Sequence, residues 1–243
     1  MKAAARIVAE SGRDGRTRLT VLSGEPPLLP RRTGVASEAA EVHLVGGAAG
    51  PLGGDALRID IEVGAGAYLI VRTVAASIVL PGRDGTRSTT DTRAEVAGDG
   101  RLEWLPEPLV AVRGCRHLAS SIVELSAAAT LVWREEIVCG RHGEDCGDLT
   151  VATRVWRDGE PLLHQELSVG PDSPTWTGPA TLGGGRATGT LLVVDPAWTG
   201  GQPPRQPATS TVAQMALTGP AFLRSAVAED AHTLRKALHH DSS

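Results

Sequence analysis

Along most of this chain, apolar and polar residues alternate with a period of two, the repeat of a strand with one buried face and one wet face. The clearest run is Leu57-Arg58-Ile59-Asp60-Ile61-Glu62-Val63, which alternates without a fault. Gly64-Ala65-Gly66-Ala67 then leads into Tyr68-Leu69-Ile70-Val71-Arg72-Thr73, and two strands across a Gly-containing turn predict a hairpin. A second hairpin is predicted between Leu149 and Val169, where strands over 150–156 and 162–169 flank Arg157-Asp158-Gly159-Glu160. Asp-Gly there supplies the positive-φ positions of a tight turn. Further strands are expected over 16–22, 93–96, 102–105, 121–125, 130–138 and 188–195. Short strands at this spacing, separated by Gly and Pro, predict an all-β fold with short C-terminal helices. The helical part rests on Leu223, Val227, Ala231, Leu234 and Leu238, spaced by fours and threes. Asp230 is its candidate cap, and Arg235 and Lys236 fall where a helix C-terminus favours cations.

The Gly/Pro/Gln stretch 199–207, which contains Pro203-Pro204, reads as an exposed loop within one domain spanning 1–243, not as a domain boundary. No repeat of fixed period is present. Hydrophobic residues make up 41% of the 243, enough for a sizeable core. Aromatics are only 3%, mostly Trp, so that core must be built from Val, Leu, Ile and Ala. The net charge is -4 with scattered Lys and Arg, and without a basic stripe or stacking aromatics nucleic acid is not an expected partner. Met1-Lys2-Ala3-Ala4-Ala5-Arg6 lacks the apolar run of a signal peptide, and no segment approaches the roughly 20 apolar residues of a membrane span. Three cysteines, an odd number, suit a reducing compartment. The expectation is a cytoplasmic protein with no membrane contact.

Three segments carry candidate chemistry. Gly46-Gly47-Ala48-Ala49-Gly50-Pro51-Leu52-Gly53-Gly54-Asp55 is glycine-rich, yet it enters a strand and lacks the Gly-Lys-Ser/Thr of a phosphate loop. Its glycines instead call for unusual backbone angles or close approach of another segment. Leu102-Glu103-Trp104-Leu105-Pro106-Glu107-Pro108 places two carboxylates four apart beside a Trp and two prolines. Such a pair suits acid–base chemistry or a metal, while the prolines favour an edge or irregular segment where a partner docks. Cys139-Gly140-Arg141-His142-Gly143-Glu144-Asp145-Cys146 is the densest set of potential ligands. Thiolate and imidazole suit nickel or zinc, although no fourth ligand is evident and the plainer reading is a polar turn with two incidental thiols. Cys115-Arg116-His117 is a weaker version of the same pattern, and His239-His240 reads as a polar tail. No Gly-x-Ser-x-Gly elbow or His-Glu-x-x-His motif supports hydrolytic catalysis.

Taken in order, these stretches resemble the urease accessory protein UreD (UreH) family. Residues 48–63 resemble its Gly-Gly-x-x-Gly-Gly-Asp segment and following strand. Leu102-Glu103-Trp104-Leu105-Pro106 is similar to its Leu-Glu-Tyr/Trp-Leu-Pro-Gln segment, with Glu107 in place of Gln. Glu135, Gly140-Arg141 and Gly143-Glu144 resemble its Glu…Gly-Arg…Gly-Glu signature, here compressed, and Leu217-Thr218-Gly219-Pro220 followed by 231–238 fits its C-terminus. At Val74, Ile78 and Pro81 the chain is apolar where the family often carries polar or basic residues. The resemblance implies stacked sheets in a helix-like winding and no catalytic residues. It implies apo-urease and UreF as partners, with the GTPase UreG recruited through UreF, and nickel passing to the carbamylated lysine of urease.

The expected role is a non-enzymatic scaffold with a polar route for nickel as transient cargo and no tightly bound cofactor. Asp55, Glu103, Glu107, His142 and Glu144 are candidates for transient coordination, with Cys139 and Cys146 optional; Arg141 would steer electrostatically. Gly53, Gly54, Trp104, Pro106, Gly140 and Arg141 are candidates for the partner-facing or structural motif. A conduit must hold ions weakly at several places, which carboxylates and scattered imidazoles do better than a thiolate cage. Two alternatives remain: a stand-alone nickel or zinc protein using Cys139, His142 and Cys146, and a β-sandwich hydrolase using Glu103 and Glu107.

Overall fold

The structure, a computed structural model, describes residues 1–34, 38–198 and 208–239; the expected loop over 199–207 and His240 lie outside the described residues. In chain order the strands are β1 (Lys2–Ser11), β2 (Thr17–Gly24), β3 (Leu28–Thr33), β4 (Ala40–Gly46), β5 (Ala56–Val63), β6 (Tyr68–Thr73), β7 (Ser77–Val79), β8 (Ser88–Val96) and β9 (Arg101–Leu105). They continue with β10 (Leu109–Ala111), β11 (Arg116–Leu125), β12 (Thr130–Cys139), β13 (Asp148–Arg157), β14 (Glu160–Val169), β15 (Ala187–Val194), β16 (Val212–Ala216) and β17 (Ala221–Ala228), before the helix α1 (Ala231–Leu238). The fold is mainly β, as the alternation predicts.

Two sheets stack face to face. One has the order β14-β13-β11-β8-β5-β1-β2; the other runs β16-β17-β15-β12-β9-β6-β4-β3, with β7 and β10 attached beside β12. From β4 to β13 the main strands alternate between sheets, and within each sheet the successive rungs pair in parallel; β14 to β17 then close the two sheets with antiparallel pairs. The chain therefore winds as a β-solenoid, and its core is a set of stacked side-chain rows. In the first sheet Ile7, Ile61, Ala94, Val123 and Val155 form one inward row. In the second, Val42, Val71, Trp104, Trp133, Leu192 and Leu223 form another, with the Trp104 and Trp133 rings stacked at 5.2 Å.

The Asp158-Gly159 hairpin is present: β13 and β14 pair antiparallel, with φ of 54° at Asp158 and 79° at Gly159. The hairpin expected across 64–67 is not. Gly64–Ala67 carries the chain from one sheet to the other, because β5 pairs with β1 and β8 whereas β6 pairs with β4 and β9. An arch and a hairpin turn both leave the flanking apolar faces pointing inward, so local alternation does not separate them. The helical reading also needs correction at its start. Residues 221–228 are β17, held between β15 and β16, and only Ala231–Leu238 is helical. β17 is buried on both faces: Ala221 and Leu223 face the inter-sheet core, while Phe222 and Ala226 face α1. Double burial puts apolar residues on both faces, so the alternation that marks a half-buried strand is absent. Asp230 caps α1 as expected, accepting the Thr233 N–H at 2.7 Å.

Candidate functional site

Between the sheets the apolar rows stop and a polar layer begins. On the first sheet the row is Ile59, Thr92, Ser121 and Thr153. Opposite, β12 continues the inward series Leu131, Trp133 with Glu135, before Ile137 and Cys139 restore apolar character. This layer separates two apolar clusters, one around Ile61, Leu69 and Trp133 and one around Val79, Cys115 and Leu149.

Glu135 is enclosed by hydroxyls and an indole. Its carboxylate accepts from Thr153 Oγ1 at 2.6 and 2.8 Å, from Trp133 Nε1 at 3.1 Å and from Ser121 Oγ at 3.2 Å. Burial pushes its pKa above the usual carboxylate value, and these donors oppose that only in part. It has no ion pair among the described residues. The carboxylate borders a cavity of about 570 Å³ whose walls include Leu57, Ile59, Thr92, Trp104, Ser121 and Val151. A second void, of about 20 Å³, lies on its other side against Thr153 and Gln165, roughly the space one water needs.

The cavity is bordered at one end by the 46–51 and 73–78 segments, where Val74 and Ile78 are exposed, and it also meets the outer face at a break in the second sheet. β9 pairs with β12 over Thr130–Trp133 and β10 pairs with it over Ile137–Cys139, but residues 134–136 of β12 meet no ladder partner on that side. Pro106 and Pro108 have no N–H to donate there. Arg134 fills part of the break by donating from Nη2 to the carbonyls of Pro106 at 2.9 Å and Leu105 at 3.3 Å. The neighbouring rung is interrupted too: Glu107 N–H donates to Thr73 Oγ1 at 2.9 Å, and Ser77 N–H to the Pro108 carbonyl. Here Glu136, whose side chain is fully buried, and Glu107 share one cation. Arg235 of α1 donates to Glu107 at 2.7 Å and to Glu136 at 2.5 and 3.1 Å, and Arg134 lies 3.4 Å from Glu136. The hydrogen bonds to Glu136, then those to Glu107, hold the Arg235 pKa above its ordinary value. Outside the break lies an open groove of about 930 Å³ beneath α1, which shares Ala76, Ile78, Glu107 and Arg141 with the cavity.

The structure brings Trp104, Pro106, Glu107 and Arg141 together on the cavity wall. Glu103 lies elsewhere, on the outer face of β9, accepting from Tyr68 at 2.5 Å and Arg101 at 2.9 Å. Glu103 and Glu107 thus have separate partners and do not face one another across a site. Burial and the Glu103 carboxylate push the Tyr68 hydroxyl up to about 12, so it remains the donor. Asp55 is buried, binding the Met1 amino group at 2.7 Å and the Leu52 N–H at 2.9 Å. The glycines before it do what their sequence suggests. Gly54 has φ +90°, and a Cβ on Gly53 would lie 2.3 Å from the Gly82 backbone.

The 139–146 segment is a tight loop. Gly140 and Gly147 both donate their N–H to the Ala111 carbonyl, at 2.9 and 3.0 Å, which draws Cys139 and Cys146 together in the apolar cluster that also holds Cys115. Cys146 Sγ donates to the Gly147 carbonyl at 3.3 Å, and the closeness of the two thiols draws Cys139 down and Cys146 up. Gly140 has φ +73°. Glu144 binds Arg141, which holds its carboxyl down at about 2. His142 is exposed in the groove, apart from the buried thiols. Among the described residues no three His, Cys, Asp or Glu side chains are grouped to hold a metal ion, and no helix is long and apolar enough to cross a membrane.

In the sequence Glu135 stands out only within the Glu…Gly-Arg…Gly-Glu resemblance and Arg235 only as a cation near a helix C-terminus, and nothing there marks Glu136, Thr92, Ser121 or Thr153. A signal for Glu135 existed: with Leu131, Trp133 and Ile137 inward, the period of two places a carboxylate in the core.

The model of the "UreD urease accessory protein" family matches residues 1–241. A protein of Parafrankia sp. named "Urease accessory protein UreD" is 45% identical, with 98% of this chain and 86% of that protein covered. One of the same name from Streptomyces coelicolor is 43% identical over 98% of this chain and 94% of its own length. "Urease accessory protein UreD 2" of Saccharopolyspora erythraea is 40% identical, covering 97% and 85%.

Proposed function

This chain belongs to the UreD urease accessory protein family, and from that premise we propose that it is a non-enzymatic scaffold in urease maturation whose inter-sheet cavity passes nickel as cargo. Its partners on this reading are apo-urease and UreF, with UreG recruited through UreF, and its place is the cytoplasm. The observation that carries the proposal is Glu135: a carboxylate with no cationic partner among the described residues, in a polar layer, on the wall of a cavity that reaches the outer face. An acid between the sheets held only by hydroxyls and an indole N–H is a poor place for a permanent negative charge. A divalent cation supplies the charge that Glu135 lacks, and the carboxyl releases its proton as the cation arrives. Thr92, Ser121 and Thr153 offer neutral oxygens around it, too few and too weak to trap a borderline ion. Passage requires such weak binding.

The test is urease activation in cells that carry the urease structural and accessory genes. Glu135→Leu is expected to lower the nickel content of urease about tenfold or more, the scale of losing one close charge interaction. The variant should still be pulled down with apo-urease, since Glu135 is remote from the exterior. Wild-type nickel content with Glu135→Leu would remove the conduit reading, and loss of the pull-down would point to a scaffold defect instead.

A further inference from the structure

We infer that Arg235 gates the outer-groove opening of this cavity, a guanidinium that closes the break in the second sheet by occupying two carboxylates a passing cation would need. The inference rests on the reading that the cavity carries a cation. Glu135 and Glu136 point to opposite faces of β12, yet both line the cavity. The space therefore passes through the strand layer between residues 134–136 and the 105–108 segment. The outer groove begins at that place, sharing Glu107 and Arg141 with the cavity. Arg235 reaches in from the groove and spans the break, with Nη1 on Glu107 and Nη2 and Nε on Glu136.

Charge makes the closure selective. With Arg235 in place, Glu107 and Glu136 are balanced by Arg235 and Arg134, and the break presents no net attraction to a cation. With Arg235 swung aside, one negative charge is left over at a constriction with low-dielectric walls, where the field is concentrated. The gate side chain has room to move: it is 33% exposed and borders the open groove, whereas Glu136 has 0% exposure and Arg134 12%. Its own charge is not the variable, because both carboxylates raise its pKa further. Opening is a rotation of one side chain and leaves α1 seated through Leu234 and Leu238.

Trp104 reports on the cavity from inside, since it lines the wall and stacks on Trp133. The probe is quenching of tryptophan fluorescence in the full chain by caesium, with iodide as the anionic counterpart. Arg235→Met is expected to raise caesium quenching severalfold, up to roughly tenfold, the gain a cleft of one charge sign gives its counter-ion. Iodide quenching should stay at the wild-type level, and the caesium gain should vanish in Arg235→Met/Trp104→Phe and in Arg235→Met/Glu107→Gln/Glu136→Gln. Unchanged caesium quenching in Arg235→Met overturns the gate, as does an equal rise for both ions, which would report a loosened fold. If Arg235→Met does not fold, Arg235→Lys is read by the same criteria, with a smaller caesium gain expected because an ammonium cannot bridge both carboxylates in fork geometry. The assay contains neither urease nor nickel. Failure here sinks the gate and leaves the conduit standing, whereas failure of the Glu135→Leu activation assay sinks the conduit and with it the cargo the gate would control.

Discussion

Glu135 and His117 are both taken from water, and both favour their neutral forms for that reason. Glu135 has a cavity beside it. His117 has no such space: Nδ1 meets Ser88 Oγ at 2.8 Å, and Nε2 is buried with no hydrogen-bond partner among the described residues. Burial lowers its pKa from 6.5 to about 4. A base with a depressed folded pKa contributes stability that is complete above pH 6.5 and is lost as pH falls through about 4. The loss amounts to about 3 kcal/mol at 1.36 kcal/mol per pKa unit. His117→Leu is expected to lack that part of the acid sensitivity. Urea denaturation at a series of pH values between neutrality and 4 measures it, and a variant profile parallel to the wild type would show that the imidazole does not control the acid limb. The Cys115-Arg116-His117 pattern is on this account structural.

At the scale of elements, most of what the chain's alternation predicts is present: β5, β6, β12, β13, β14 and β15 lie where the period of two places them. What was not legible depends on partners distant in sequence. β17 looked helical because both its faces are covered, and the 64–67 arch looked like a hairpin because sheet membership is decided by β1 and β8. The site divides in the same way. Trp104, Pro106, Glu107 and Arg141 could be singled out because their residue types are unusual for a strand or turn. Arg235 could not, since its role depends on α1 folding back over β12, whose Glu136 lies 99 residues earlier. The glycine-rich segment was legible as a backbone constraint, and this can be tested directly. In Gly53→Ala the new methyl would meet Gly82 backbone atoms at 2.3 Å and the Thr86 carbonyl at 2.5 Å, none of which is the end of a flexible side chain. The expected cost is about 1–3 kcal/mol, read as a drop in thermal midpoint. A midpoint equal to the wild type would mean that the loop and the 82–86 segment do not meet as described.

On the scale of the whole molecule, the solenoid explains why a cavity is tolerated at all. In the first sheet each rung is hydrogen-bonded to the next along nearly its full length, and the two apolar clusters hold the sheets together at either side of the polar layer. The interior between them does not have to be filled for the fold to stand. Stability and passage are therefore separable, and a residue on the cavity wall that belongs to neither cluster's buried core can separate them. Ala119 is such a residue: it lines the cavity in a row with Leu57, Thr90 and Val151. Ala119→Phe adds an aromatic ring to a space of about 570 Å³, where new apolar contact contributes about 25 cal/mol per Å² of surface removed from water. Its thermal midpoint is expected to match or exceed the wild type, while the nickel content of urease activated with it falls. A lower midpoint would show that the space is smaller than the structure describes. A filled cavity with unchanged nickel loading would show that nickel travels elsewhere, because the ring occludes the wall opposite Glu135 without removing a carboxylate or disturbing Arg235.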